Sequence, residues 1–303
     1  MRKFKISIFL VTILLFLFGC VHTAKNQGVE NNRGNSGFIK TYHFESIDEE
    51  MSFKLYNIAN LSEEELESIE SKTLEAYDFI LASINSGFER ASEISIYLKE
   101  GFEKSTTGNK TTIHLHRSYG NDYPLVHELT HSLLGVGKSF DYTYGYLTQE
   151  GLAEYFQYEI GEVYDFNYGI PAHKKMNYLL ERNKNIPLFK LVDLEIANDI
   201  FISKIYTDQS NTLNWIGYVQ VGSFVTYLID TYGFEKFEAI YNHPELEKQI
   251  EAIYNKTLED LEKEWIEYVT FNIEPLSKDE LSSQVMRFYI RNLDLIDPAF
   301  FES

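Results

Sequence analysis

The stretch Val126-His-Glu-Leu-Thr-His-Ser-Leu-Leu-Gly135 holds two histidines four residues apart, with a glutamate directly after the first. It constrains the fold more than any other stretch, because its spacing has chemical meaning in one conformation only. Positions four apart lie one above the other on a helix face, so His127 and His131 can aim at one ion only if the segment is helical. Glu128 is then about 100° round the helix from His127, where it can flank the ion without binding it. The flanks agree with a helix over 122–134. Asp122 suits the N-cap, Pro124 the first turn and Gly135 the C-terminal cap. Two neutral nitrogens and a nearby carboxylate base are what a zinc hydrolase needs. The five residues also arise by chance, so the rest of the chain must supply the context.

A catalytic zinc commonly takes three protein ligands and keeps a fourth position for water. The next helical pattern, over 148–160, contains Leu147-Thr-Gln-Glu-Gly-Leu-Ala-Glu-Tyr155. With Thr148 as its N-cap, Glu150 stands in the first turn and Glu154 one turn further along the same face. If Glu150 binds the metal, Glu154 can reach a ligand histidine and fix its tautomer. Alone, two acids four apart read as a solvated helix face. Beside HELTH they complete a ligand set of His127, His131 and Glu150, with Glu128 as base.

The chain opens Met1-Arg-Lys-Phe-Lys5 and runs apolar from Ile6 to Phe18. That is a basic segment followed by an apolar one shorter than the ~20 residues a membrane-crossing helix takes, the pattern of a secretory signal over 1–19. Leu17-Phe-Gly-Cys20 resembles the bacterial lipobox, and Cys20 is the one cysteine in the chain. The resemblance implies lipid on Cys20, a membrane anchor and an extracytoplasmic body. An ordinary cut near Ala24 is the plainer alternative. Residues 20–41, rich in Asn and Gly, read as the anchored cysteine and a flexible tether. The net charge of −19 argues against nucleic acid and against electrostatic docking to anionic lipid.

The body, with 44% hydrophobic residues over the whole chain and 22 each of Tyr and Phe, can bury a large core. Ser62 heads an amphipathic helix to Ile84, with Glu63, Glu64 and Glu65 in its first turn, a solvated helix start. The segments 51–58, 93–98 and 111–116 read as strands, the last two separated by a turn region. Helix patterns follow at 171–182, 214–232 and 258–268. The expectation is α+β: a small mixed sheet with helices over 42–120, a zinc-site and helical part over 121–275, and a tail over 276–303.

HELTH followed by LTQEGLAEY resembles the gluzincin clan of zinc peptidases. The separation and the "EG-apolar-A" signature are similar to the aminopeptidase-N family, and the style to the peptidase MA-like group of bacterial proteins. The resemblance covers about 42–269, sharp only at these two segments. It implies a gluzincin-like fold and one Zn2+ per chain on His127, His131 and Glu150. Glu128 would be the general base, and Glu154 the partner of His127. In Asn214-Trp-Ile-Gly-Tyr-Val-Gln-Val-Gly-Ser-Phe224 it implies Tyr218 as hydrogen-bond donor to the oxyanion. Gly222 follows Tyr218 by four where the aminopeptidases have three, so Tyr206 and Tyr227 compete, with core packing as the plain alternative. The aminopeptidases hold the substrate's amine with a Gly-x-Met-Glu-Asn glutamate. No such stretch stands here, and 111–117 carries no acid, which favours an endopeptidase over an aminopeptidase. A peptide- or protein-binding lipoprotein on a peptidase-like scaffold is the competing reading. His114 and His116 share a strand face and either line the cleft or pack. His22, His43, His173 and His243 show no partner pattern.

Overall fold

The computed structural model describes residues 30–33, 38–85, 88, 90–101, 103–117, 123–134, 145–160, 169–202 and 207–302. The expected signal peptide, Cys20, Asp122, Gly135 and Tyr206 lie outside them. The fold is α+β, with a six-stranded mixed sheet and helices on one side of it and beyond.

Strands β1 (Glu30–Arg33), β2 (Phe38–Glu45) and β3 (Ser52–Asn57) pair antiparallel in succession. Helix α1 (Glu63–Ser83) then crosses over to β4 (Glu93–Lys99), which lies parallel to β3. Ser62 caps α1 through a capping box with Glu65, as its sequence suggests. Strands β5 (Thr106–Asn109) and β6 (Thr112–His116) form a hairpin in which β6 pairs parallel with β4, leaving β5 at the sheet's edge. Alternation turns one face inward: Leu55, Ile96 and Ile113 stand in register across three strands and are fully buried. The other face carries Tyr56, Tyr97 and His114 in one row, with ring centroids 4.4 and 4.9 Å apart. His114 therefore packs in a sheet-face stack.

Two expectations in this half need correction. The tether segment 20–41 contains β1 and the start of β2, because backbone pairing recruits polar residues that show no hydrophobic period. The turn region between the two later strands contains β5, whose Thr-Thr-Gly-Asn sequence likewise gives no alternation to read.

The helical half begins with α2 (Leu125–Leu134) and α3 (Tyr146–Ile160). There follow α4 (Ala172–Leu180), α5 (Leu188–Val192), α6 (Leu194–Phe201) and the long α7 (Asp208–Tyr232). Then come α8 (Phe234–Ile240), α9 (Leu246–Tyr254), α10 (Leu258–Asn272), α11 (Lys278–Ser282) and α12 (Gln284–Asn292). Helix α7 is buried on nearly every face from Thr212 to Ile229, where apolar residues predominate, and packs along α3. It starts six residues earlier than the apolar pattern suggests, because Thr207 and Ser210 form a capping box upstream. Thr148 is not the N-cap of α3. The helix starts at Tyr146, which is buried and stacked on Phe201, and the Thr148 hydroxyl instead accepts the Asn242 amide.

Candidate metal centre

Helix α2 packs on β5 and β6 on one side and on α3 on the other. Pro124 stands immediately ahead of it, and its carbonyl accepts the Glu128 amide at 3.1 Å. Of the orphan amides that any helix start leaves, that of His127 donates to the Gln157 side chain on α3 at 2.9 Å. Glu150, Glu154 and Gln157 stand at i, i+4 and i+7, so one face of α3 serves α2 throughout. That spacing was readable in the sequence, although Gln157 attracts no notice without a partner in view.

The two helices bring His127, His131 and Glu150 together, all nine-tenths or more buried. His127 Nε2, His131 Nε2 and Glu150 Oε2 stand 3.2 Å from one another on all three sides. Ligands at about 2.0–2.1 Å from a tetrahedral zinc are ~3.3 Å apart, so this triangle fits such an ion. The donor set, two imidazoles and a carboxylate, also fits, and the group could hold a metal ion.

The electrostatics agree. Burial works against a charged His127, but its hydrogen bonds to the Glu150 and Glu154 carboxylates overcome it and push its pKa up to about 10. Burial likewise opposes ionisation of Glu150, yet the charge of His131 and hydrogen bonds from both histidines hold it far below the ordinary carboxylate range. The cavity thus favours a positive charge at its centre, which a proton or a metal ion can supply. His127 Nδ1 lies 3.2 Å from Glu154 Oε1, the contact that leaves Nε2 free to ligate. Behind Glu154 on α4, burial pushes Lys175 down to about 8 against the pull of the Glu154 charge.

Glu154 and Glu150 hold their places because α3 and α7 cross closely at two glycines. A Cβ on Gly222 would stand 2.9 Å from Glu154 Cβ, and one on Gly151 would stand 2.8 Å from the Val221 carbonyl. The Gly in "QEGLAEY" and the Gly in "VGSF" are thus two halves of one contact.

Glu128 is buried beside the triangle without joining it. The Thr107 hydroxyl, on edge strand β5, lies 2.7 Å from Glu128 Oε2 and 2.9 Å from the Glu128 carbonyl. Thr107 gave no sequence signal, being one threonine in a polar turn. Tyr218 lies edge-on to His127, with ring centroids 5.7 Å apart, while Lys104 meets its hydroxyl. Tyr227 packs against Tyr232 and Tyr268 instead, so of the two described candidates only Tyr218 reaches the histidines. The edge strand beside α2 is β5, while the acid-free 111–117 contains the inner strand β6. Strand β5 itself carries no acid, and Glu103 ahead of it lies 3.5 Å from His116. Compared with known proteins, the chain matches no family model, no curated protein and no solved structure.

Proposed function

We propose that the protein is a zinc-dependent peptidase of the gluzincin kind, held outside the cytoplasm by lipid on Cys20. The observation that carries the reading is the buried 3.2 Å triangle of His127, His131 and Glu150 with Glu128 beside it. A structural metal site has no need of a buried carboxylate that stays out of the ligand set. Zinc, when bound, would supply a Lewis acid and a water whose pKa is about 7.

The chain's own groups then divide the work. Glu128, aimed by Thr107, takes a proton from the attacking water and returns it to the leaving amine. Glu154 keeps His127 in the Nδ1–H tautomer. Tyr218 donates to the carbonyl oxygen as it gains charge. Strand β5 ends the sheet beside α2, and an extended peptide can add to such an edge. The lysine next to Tyr218 and the outward turn of Glu103 disfavour a free amine at this spot, which supports an endopeptidase over an aminopeptidase.

The test is digestion of a peptide library, free and N-acetylated, by wild type and Glu128→Gln at equal zinc content. Wild type should cleave both sets, and Glu128→Gln should lose at least ~10²-fold in kcat while retaining zinc. Full activity in Glu128→Gln would remove Glu128 as base. Strict dependence on a free amine would favour the aminopeptidase, and binding without cleavage the binding-module reading.

A further inference from the structure

We infer that Lys104 orients the Tyr218 hydroxyl as a donor; the inference rests on the peptidase reading above. Lys104 lies two residues ahead of β5 and approaches the centre from the sheet, whereas Tyr218 comes from α7. Its Nζ is 2.6 Å from Tyr218 Oη and 3.3 Å from the Phe201 carbonyl oxygen. At 4.9 Å from the ring centre, Nζ sits beyond the hydroxyl end and not over the ring face, so the contact is a hydrogen bond and not a cation–π one.

The direction of that bond is fixed by chemistry. An ammonium has three donors and no acceptor, so Lys104 donates and the phenolic oxygen accepts. A phenol has two orientations for its proton in the ring plane. Lys104 takes up one side of the oxygen, so the hydroxyl's own proton is directed to the other. Tyr218 is then a donor before any substrate arrives. The orientation costs nothing at the moment charge develops, which is the condition for effective oxyanion stabilisation.

The rest of the surroundings keep the pair in place. The Phe201 carbonyl holds Nζ from the end of α6. The rings of Phe201 and His127 meet the Tyr218 ring edge-on at 5.3 and 5.7 Å, and the tyrosine is buried. Lys104 is thus a positioning residue, acting through Tyr218.

A double-mutant cycle in the full chain with zinc bound tests this. The proteins are wild type, Lys104→Met, Lys104→Arg, Tyr218→Phe and the Lys104→Met/Tyr218→Phe double variant. Lys104→Met should lower kcat by about tenfold to a hundredfold with KM nearly unchanged, and Lys104→Arg, which keeps a donor, should recover most of the loss. In the Tyr218→Phe background, Lys104→Met should cost nothing further. An equal loss in both backgrounds, a wild-type kcat for Lys104→Met, or no recovery by arginine overturns the inference. If wild type shows no turnover, the peptidase reading falls by itself. The cycle is then read as affinity for a phosphinic peptide, a tetrahedral mimic, with the same outcomes supporting or overturning it. A crystal structure in which Nζ and Oη are not hydrogen-bonded overturns it whatever the activity.

Discussion

In the proposed peptidase, the role of Glu128 depends on single hydrogen bonds. A buried carboxylate with no partner would turn towards whatever donor it could find. Thr107 gives it one from strand β5, which packs against α2. The hydroxyl carries one proton, and the shorter of its two contacts is to the carboxyl oxygen, so that acceptor takes it. Thr107→Val keeps the shape and removes the donor. It should lower kcat by about tenfold to a hundredfold while zinc content stays at the wild-type level. Thr107→Ser should keep most of the activity. Steady-state kinetics at matched zinc occupancy would check this, and an unchanged kcat in Thr107→Val would mean that the threonine does not aim the base.

Among the elements, the pairing of α3 with α7 matters most, because it fixes the carboxylates that α2 needs. Gly222 exists for that contact: any Cβ there meets Glu154 at 2.9 Å. Gly222→Ala should displace Glu154 from His127 and weaken zinc binding by about tenfold or more. It should also cost about 1–3 kcal/mol of stability through overpacking. Zinc titration and a melting curve would measure both, and an unaltered zinc affinity would show that Glu154 does not support the ligand. The same crossing explains which parts of the site were legible in sequence. His127, Glu128, His131, Glu150 and Glu154 declare themselves because the proposed ligands and their supports recur at helical spacing. Lys104 and Thr107 do not. They come from β5 and the residues just ahead of it, which show no hydrophobic alternation, and only the fold brings them to helices elsewhere in the chain. Helix starts are hard to read from sequence for a related reason. Thr148 looks like a cap in isolation, but burial of Tyr146 extends α3 past it.

For the molecule as a whole, one continuous apolar core joins sheet and helices. The coarse α+β class was readable from strand alternation followed by helical periods. The helices α5, α6, α8, α9, α11 and α12, of five to nine residues, were not. Among the described residues no helix is long and apolar enough to cross a membrane. Deep in the helical half, Trp265 Nε1 donates to Ser223 Oγ at 3.0 Å, and Ser223 lies 2.8 Å from His173 Nδ1. Burial pushes His173 down from 6.5 to about 4. The unfolded chain therefore binds a proton on this residue near pH 6.5 that the folded chain refuses until about pH 4. Stability is fully present above the higher value and is lost as pH falls towards the lower one, by about 3 kcal/mol at most. Urea unfolding between pH 7 and pH 5 should show a steeper loss in wild type than in His173→Phe. Equal slopes would contradict this assignment.

Peptide cleavage, the aim of Glu128 and the donor role of Tyr218 all presuppose an ion between α2 and α3. The most direct test is therefore the zinc content of the purified full-length chain, wild type against His131→Ala, after loosely held metal is removed. The triangle of His127, His131 and Glu150 predicts about one zinc per wild-type chain and its loss in a His131→Ala protein that remains folded. No stoichiometric zinc in wild type, or the same zinc content in both proteins, would contradict the account.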